Sequence, residues 1–191
     1  LIVRHGYTNR TDRIESGVRK TYEGPDARRR AEAEYVALTG LAGRMPVPAV
    51  LERQDDGALV IEFIEGAHGQ DEIDAGRGSE VLMSCGALLR RLHALDPALV
   101  GSYRSAGVIC HGDFGPNNVL LDPADHVVRA LLDWEFSGVG EAVIDIAWCE
   151  WIVRMHHPTA VDCLPAFFDA YGARPPWPIR QHAMLDRCRR L

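Results

Sequence analysis

Three oxygen-bearing side chains stand at fixed intervals in the middle of the chain: Asp113, Asn118 and Asp133. They punctuate short apolar runs. Residues 108–110 lead into His111, Gly112 and Asp113, Asn118 opens the run 119–121, and residues 127–132 end on Asp133. Between the last two runs, Asp122-Pro123-Ala124-Asp125 reads as a turn. The order is then loop, strand, hairpin turn, strand, acid, which predicts that Asp113, Asn118 and Asp133 gather at one end of a two-stranded ribbon. Such a set suits phosphoryl transfer. That reaction needs a group to take the proton of an acceptor hydroxyl, and oxygen ligands for a divalent cation that bridges phosphates. Asp113 can take the proton, while Asn118 and Asp133 are the hard oxygen donors that Mg²⁺ requires. An ordinary hairpin with polar turn residues is the plain alternative.

The segment His111–Asn118 resembles the His-Gly-Asp-x-x-x-x-Asn of the aminoglycoside phosphotransferase family. That family is a branch of the protein-kinase-like fold that includes choline and homoserine kinases. Its metal-binding acid, at the end of a strand, stands here as Asp133. The resemblance implies an α+β, protein-kinase-like two-lobe fold, with a small β-rich N-lobe over residues 1–65 and a mainly helical C-lobe over 66–191. It also implies ATP and Mg²⁺ as cofactors, held between the lobes, and transfer of the γ-phosphoryl group to a hydroxyl of a small molecule.

The elements that must position these groups can be read on either side. Residues 6–14 and 17–22 form a hairpin, with Gly6, Thr8 and Asn9 in a loop able to offer amides to phosphate oxygens. The second strand puts Val18, Lys20 and Tyr22 on one face. Lys20 is the only lysine; the other 20 basic residues are arginines. A compact ammonium suits pairing with phosphates better than an Arg fork. Residues 25–43 read as a helix whose Arg28-Arg29-Arg30 run is expected to be a solvated face. By resemblance, Glu34 on this helix pairs with Lys20, and Glu32, two residues away, points elsewhere. Pro46-Val47-Pro48 opens the next strand after a stiff turn, and 58–63 is an apolar strand. Glu62, Phe63 and Ile64 leave it as the hinge whose backbone, by resemblance, receives the nucleotide base.

Residues 67–78 read as a polar connector and 79–95 as a helix capped by Ser79, with Val81, Leu82, Cys85, Leu88, Leu89 and Leu92 at helical spacing. His93 is a helix-end residue. After Asp133, Glu135 is placed either to reach a second ion or its water or to serve a purely structural role. The helix that follows carries Asp145, which by resemblance braces the catalytic loop, with His111 holding that loop by hydrogen bonds. Trp148 and Trp151, three apart, share a face, and with Glu150 they suggest an ammonium site. The Cys149-Glu150-Trp151 run is similar to eukaryotic choline kinases. Core packing is the competing role for both tryptophans. Residues 158–171 and 178–191 read as two further helices, separated by Pro175-Pro176-Trp177-Pro178 and walling the acceptor.

Composition bounds the rest. The 191 residues are 47% hydrophobic and 25% charged, with net charge −6, enough for a substantial core in one domain or two small lobes. The acidic balance argues against nucleic acid as a partner and favours a cationic acceptor, such as an aminoglycoside-type antibiotic or an amino-alcohol. No apolar run approaches the length of a membrane span. Cys85, Cys110, Cys149, Cys163 and Cys188 are odd in number and lack Cys-x-x-Cys spacing, as expected of reduced thiols in a cytoplasmic protein.

Two other readings stay open. One is a nucleotide-binding module of the same fold without catalysis. The other is a histidine phosphatase using Arg4 and His5, since Arg-His-Gly after a short strand is also how those enzymes begin. The chain departs from the resembled family in being short, in starting almost at the phosphate loop without the usual leading helix, and in matching that loop loosely. It opens on Leu1 rather than Met, leaving room for a preceding segment.

Overall fold

A computed structural model describes residues 9–101 and 106–189. Gly6 and Thr8 of the expected phosphate loop, and Arg4 and His5, lie outside the described residues.

Strands β1 (Asn9–Ile14) and β2 (Gly17–Tyr22) form the expected hairpin. With β3 (Val50–Arg53) and β4 (Leu59–Ile61) they make an antiparallel sheet in the order β1-β2-β4-β3. Lys20 pairs with Thr11 on one side and with Leu59 on the other, so it sits on an interior strand. The strand after the prolines starts only at Val50, because Pro46 and Pro48 have no N–H to give a ladder. Pro46 instead offers its carbonyl to Leu131 N at 2.7 Å, tying this linker to a distant strand.

Helix α1 (Ala27–Leu41) packs on the sheet with Arg30, Glu34, Ala37, Leu38 and Leu41 buried, the i, i+4, i+7, i+8 and i+11 positions of one face. Arg30 is therefore not part of a solvated run: one helical turn from Glu34, it is carried into the interior with it. Glu32 points away as expected and pairs with Arg53 at 2.5 Å on the surface.

The stretch expected to be only a connector contains β5 (Ala67–His68) and helix α2 (Gly69–Asp74). Helix α3 (Gly78–His93) buries Val81, Leu82, Cys85, Leu88, Leu89 and Leu92, all six apolar positions read from the spacing. Arg77 rather than Ser79 is the residue before its first turn, and no side chain caps it. Strand β6 (Val108–Cys110) leads to the loop carrying Asp113, and β7 (Val119–Leu121) and β8 (Val128–Leu131) form the predicted ribbon. Asp122 shapes its turn, with Oδ1 accepting from Ala124 N at 2.8 Å. Strand β9 (Gly138–Gly140) pairs with β6, a pairing that three residues with two glycines do not announce.

Helices α4 (Val143–His156), α5 (Leu164–Tyr171) and α6 (Trp177–Cys188) complete the helical part, α5 packing on α3 and α6 on α4. The α3–α5 contact is so close that a Cβ on Gly86 would lie 2.2 Å from Phe167 O. Gly86→Ala therefore forces the two helices apart. Overpacking of this kind costs about 1–3 kcal/mol, and thermal unfolding followed by circular dichroism will show the midpoint falling by several degrees.

Candidate active site

Lys20 is buried, and its ammonium is held from two directions. Its Nζ donates to Glu34 Oε2 at 2.6 Å and closely to Asp133 Oδ1. Tyr22 OH also donates to Glu34 Oε2, at 2.7 Å. Tyr22 follows from the same alternation that places Lys20, although no local pattern announces its bond. Burial pulls the Lys20 ammonium down, but Glu34, Asp133 and Glu135 together lift it well above its ordinary value. Burial would raise Asp133, yet Lys20 holds that carboxyl below its usual range. Glu34 is raised by its own burial despite Lys20, so of the two acids Asp133 is the more firmly ionised.

Asp133 stands just beyond β8, with φ 69° and ψ 58°. A left-handed backbone is uncommon outside glycine, and Asp adopts it more readily than most residues. It turns the chain sharply from strand into the 3-10 turn Trp134–Phe136. Trp134 anchors that turn, fully buried, with its indole N–H donating to Leu131 O at 2.8 Å. At this same end of the ribbon, Leu132 N donates to Asn118 O at 2.8 Å. The β7–β8 register thus brings Asn118 and Asp133 to the same end, as the spacing predicts.

The loop carrying Asp113 is braced from beneath. Asp145, fully buried, accepts from His111 N at 2.7 Å and from Gly112 N at 2.8 Å. Gly112 has φ +82°, and a Cβ there would meet Phe136 O at 2.3 Å, so only glycine fits. The His111 ring lies 2.8 Å from Leu132 O through Nε2, and its Nδ1 accepts from Asp113 N at 3.2 Å. Both bonds use ring positions consistent with one neutral tautomer, Nε2 protonated. His93 joins the same brace, its Nε2 3.3 Å from Asp145 Oδ2. On Asp113 itself, Asn118 Nδ2 donates to Oδ2 at 3.0 Å and to the backbone oxygen at 2.8 Å, and Trp148 Nε1 donates to Oδ1 at 2.7 Å.

A cavity of about 400 Å³ lies beside this cluster. Lys20, Glu34, Asn118 and Asp133 line it, with Asn9 and Thr11 of β1, Val18 and Ile61 of the sheet, and Glu62, Phe63 and Ile64 of the segment leaving β4. Asp113 does not itself line it but touches Asn118, which does. Asn118 and Asp133 offer an amide oxygen and a carboxylate. Among the described residues no group of three or more His, Cys, Asp or Glu side chains is placed to hold a metal ion. A two-residue oxygen set fits Mg²⁺, which commonly keeps several waters and takes its remaining ligands from phosphates.

Two residues expected near an ion or a cationic acceptor are placed otherwise. Glu135 is buried, with Oε2 accepting from Asn9 Nδ2 at 2.8 Å and paired closely with Arg30. Arg30 also donates to Asn9 Oδ1 at 2.8 Å. Glu135 therefore joins β1, α1 and the turn after Asp133. Glu150 is fully buried and held by Arg180 Nε at 2.6 Å and Arg154 Nη2 at 2.8 Å. It fastens α6 to α4 instead of facing a ligand. The tryptophans do share a face: Trp148 and Trp151 stack with centroids 4.4 Å apart and planes 7° apart.

Comparison with known proteins accords with this geometry. Residues 2–106 and 98–183 match the phosphotransferase enzyme family. The chain belongs to that family. An aminoglycoside 3'-phosphotransferase of Streptomyces fradiae is 31% identical over 133 residues, 69% of this chain and 48% of that protein. A second, from Streptomyces ribosidificus, is 37% identical over 67 residues, 35% of this chain and 23% of that protein. The chain thus spans about half the length of the first of these relatives, and less of the second.

Among solved structures, the gentamicin complex of APH(2")-IIa superposes with a TM-score of 0.73 at 14% identity, over 97% of this chain and 80% of that one. APH(3'')-Id from Streptomyces rimosus, in complex with ADP and streptomycin, gives 0.71 at 16%, over 93% and 91%. A choline/ethanolamine kinase family protein from Mesorhizobium loti gives 0.72 at 18%, over 96% and 74%. The fold is the α+β fold of these phosphotransferases, as the sequence resemblance implied.

The Arg30–Glu135 pair offers a test of how the site is held. Arg30→Met removes the guanidinium that pairs with Glu135 in the interior, and breaking a buried pair costs about 3–5 kcal/mol. Chemical denaturation will read this as an earlier midpoint, while Arg29→Met at the exposed neighbouring position leaves the transition in place.

Proposed function

We propose that this protein is an ATP-dependent O-phosphotransferase that moves the γ-phosphoryl group to a hydroxyl of a small molecule. The observation that carries the reading is the meeting of Lys20, Asn118 and Asp133 at one cavity with Asp113 bonded to Asn118 beside it. In this reading residues 1–65 form the nucleotide lobe and residues 66–191 the lobe that holds the acceptor.

Asp113 orients the acceptor hydroxyl and takes its proton. Lys20, fixed by Glu34 and Tyr22, neutralises charge on the phosphates as the bond to the leaving group lengthens. The backbone of Glu62, Phe63 and Ile64 receives the nucleotide base, and Asn9 covers the phosphates. His111 and Asp145 hold the catalytic loop and touch no reactant. Asn118 and Asp133 would hold Mg²⁺, which when bound supplies positive charge at the phosphate oxygens. Lys20 must then share Asp133 with the ion. Catalysis by such a set is mainly positioning and electrostatic stabilisation.

For the acceptor, we infer an aminoglycoside-type or other amino-alcohol. The support comes from solved structures of similar fold in complex with gentamicin, streptomycin or kanamycin; the Trp148 ring is buried, with Trp151 stacked on it and the Arg187 guanidinium beside it, and adds none. Glu135 and Glu150 do not add to it, being neutralised by arginines. Among the described residues no helix is long and apolar enough to cross a membrane. Action in the cytoplasm is part of the same proposal, supported by free cysteines of which Cys85, Cys110 and Cys149 are buried. Family membership does not favour the histidine-phosphatase reading.

The test separates catalysis from binding. Wild type and Asp113→Asn are each melted with and without Mg·ATP, and phosphoryl transfer to kanamycin, streptomycin and choline is assayed. Nucleotide raises the melting temperature of both proteins, as a ligand of the folded state must. Transfer falls by about 10²–10⁴-fold in the variant, the range for loss of a general base. A non-catalytic nucleotide-binding module would show the same melting shifts and no transfer by either protein.

A further inference from the structure

We propose that Trp148 is a positioning residue for the transfer step, its indole N–H fixing the plane of the Asp113 carboxylate. The inference rests on the phosphotransferase reading of this site. The backbone at Asp113 is already set by the brace on His111 and Gly112 and by the bond from its own N–H to His111 Nδ1 at 3.2 Å. Its side chain is not. The terminal torsion of an aspartate is broad, so an unrestrained carboxylate samples many orientations. Two donors remove that freedom. Asn118 Nδ2 holds Oδ2 at 3.0 Å, and Trp148 Nε1 holds Oδ1 at 2.7 Å. With one oxygen pinned on each side, the lone pairs left over keep a constant direction.

Trp148 is built for this task. It is 4% exposed, its ring lies flat on Trp151 at 4.4 Å, and the Arg187 guanidinium sits over it, 5.4 Å from the ring centroid. Its single N–H can therefore point in only one direction. Trp134 supplies the comparison. Also buried, it satisfies its N–H with the main-chain oxygen of Leu131, the ordinary solution for an indole in a core. Trp148 directs its N–H to an ionised carboxylate, where a hydrogen bond is roughly twice as strong as between neutral groups. The bond also joins the catalytic loop to α4, which carries Asp145 one turn earlier, so backbone and side chain of the loop are referred to the same helix.

The experiment uses Trp148→Phe, which keeps an aromatic ring on Trp151 and removes the donor. Steady-state ATP turnover is measured with kanamycin, streptomycin, gentamicin, choline and water as acceptors. We expect kcat to fall about 10- to 100-fold, the penalty for a reacting group displaced by a fraction of an ångström to an ångström, with KM for ATP within twofold of wild type. A second measurement needs no turnover. The indole proton resonance absent from the Trp148→Phe spectrum identifies Trp148, and Asp113→Asn should move it upfield as the charged acceptor is lost. Unchanged kcat in a turning-over pair, or an unmoved resonance, overturns the positioning role alone. A wild type inert with all five acceptors overturns the phosphotransferase reading and this inference with it.

Discussion

A single ammonium, buried where water cannot solvate it, governs the arrangement of this chain. Lys20 rides on an interior strand of the four-stranded sheet, and it needs carboxylates from outside that sheet. One comes from helix α1 and the other from the end of the β7–β8 ribbon, more than a hundred residues later in the sequence. Removing an ion from water costs several kcal/mol, which only close partners with good hydrogen bonds offset. The helix and the ribbon must therefore both arrive at the same point. Tyr22 takes part by donating to Glu34, and burial together with that carboxylate keeps its phenol protonated far above the ordinary range.

Two other buried acids, Glu135 and Glu150, follow the same rule with arginines as partners. Arg30 meets Glu135 and binds α1 to the turn after Asp133, while Arg154 and Arg180 meet Glu150 and bind α6 to α4. Guanidinium groups suit these places because they stay charged and satisfy several acceptors at once. Arg30 alone reaches Glu135, Asn9 and the backbone oxygens of Glu23 and Pro25. In these buried pairs the cation is an arginine, whereas the chain's one lysine stands where an ammonium faces a cavity.

Much of this is legible in the residues themselves. The ribbon and its three polar residues followed from short apolar runs and a turn. Lys20 stood out by being alone, Glu34 and Glu32 were separated by helical phase, and Asp145 appeared beneath the loop where the resemblance put it. What escaped is of one kind. Arg30 looked like a member of an exposed triplet because a run of like charges hides which member faces inward; phase relative to Glu34 carried that information. Glu135 and Glu150 look like ligands for a cation because a sequence lists acids without their partners: Arg30 and Arg180 lie 105 and 30 positions away, and only Arg154, one turn from Glu150, is near. The bond from Trp148 to Asp113, 35 residues apart, depends on how two elements cross, which no local pattern encodes. Helix α2 and strand β9 are too short and too rich in glycine and polar residues to show a period.

The brace formed by Asp145 has a consequence for how the molecule breathes. Irregular loops ordinarily exchange their amide protons with solvent quickly, since they open without disturbing the rest. Here two successive loop amides, those of His111 and Gly112, are locked onto one carboxylate with no exposure at all. Those bonds refer the loop to α4 and to the apolar residues packed around that helix. In deuterium exchange this loop should keep time with the core helices, although it has no regular secondary structure.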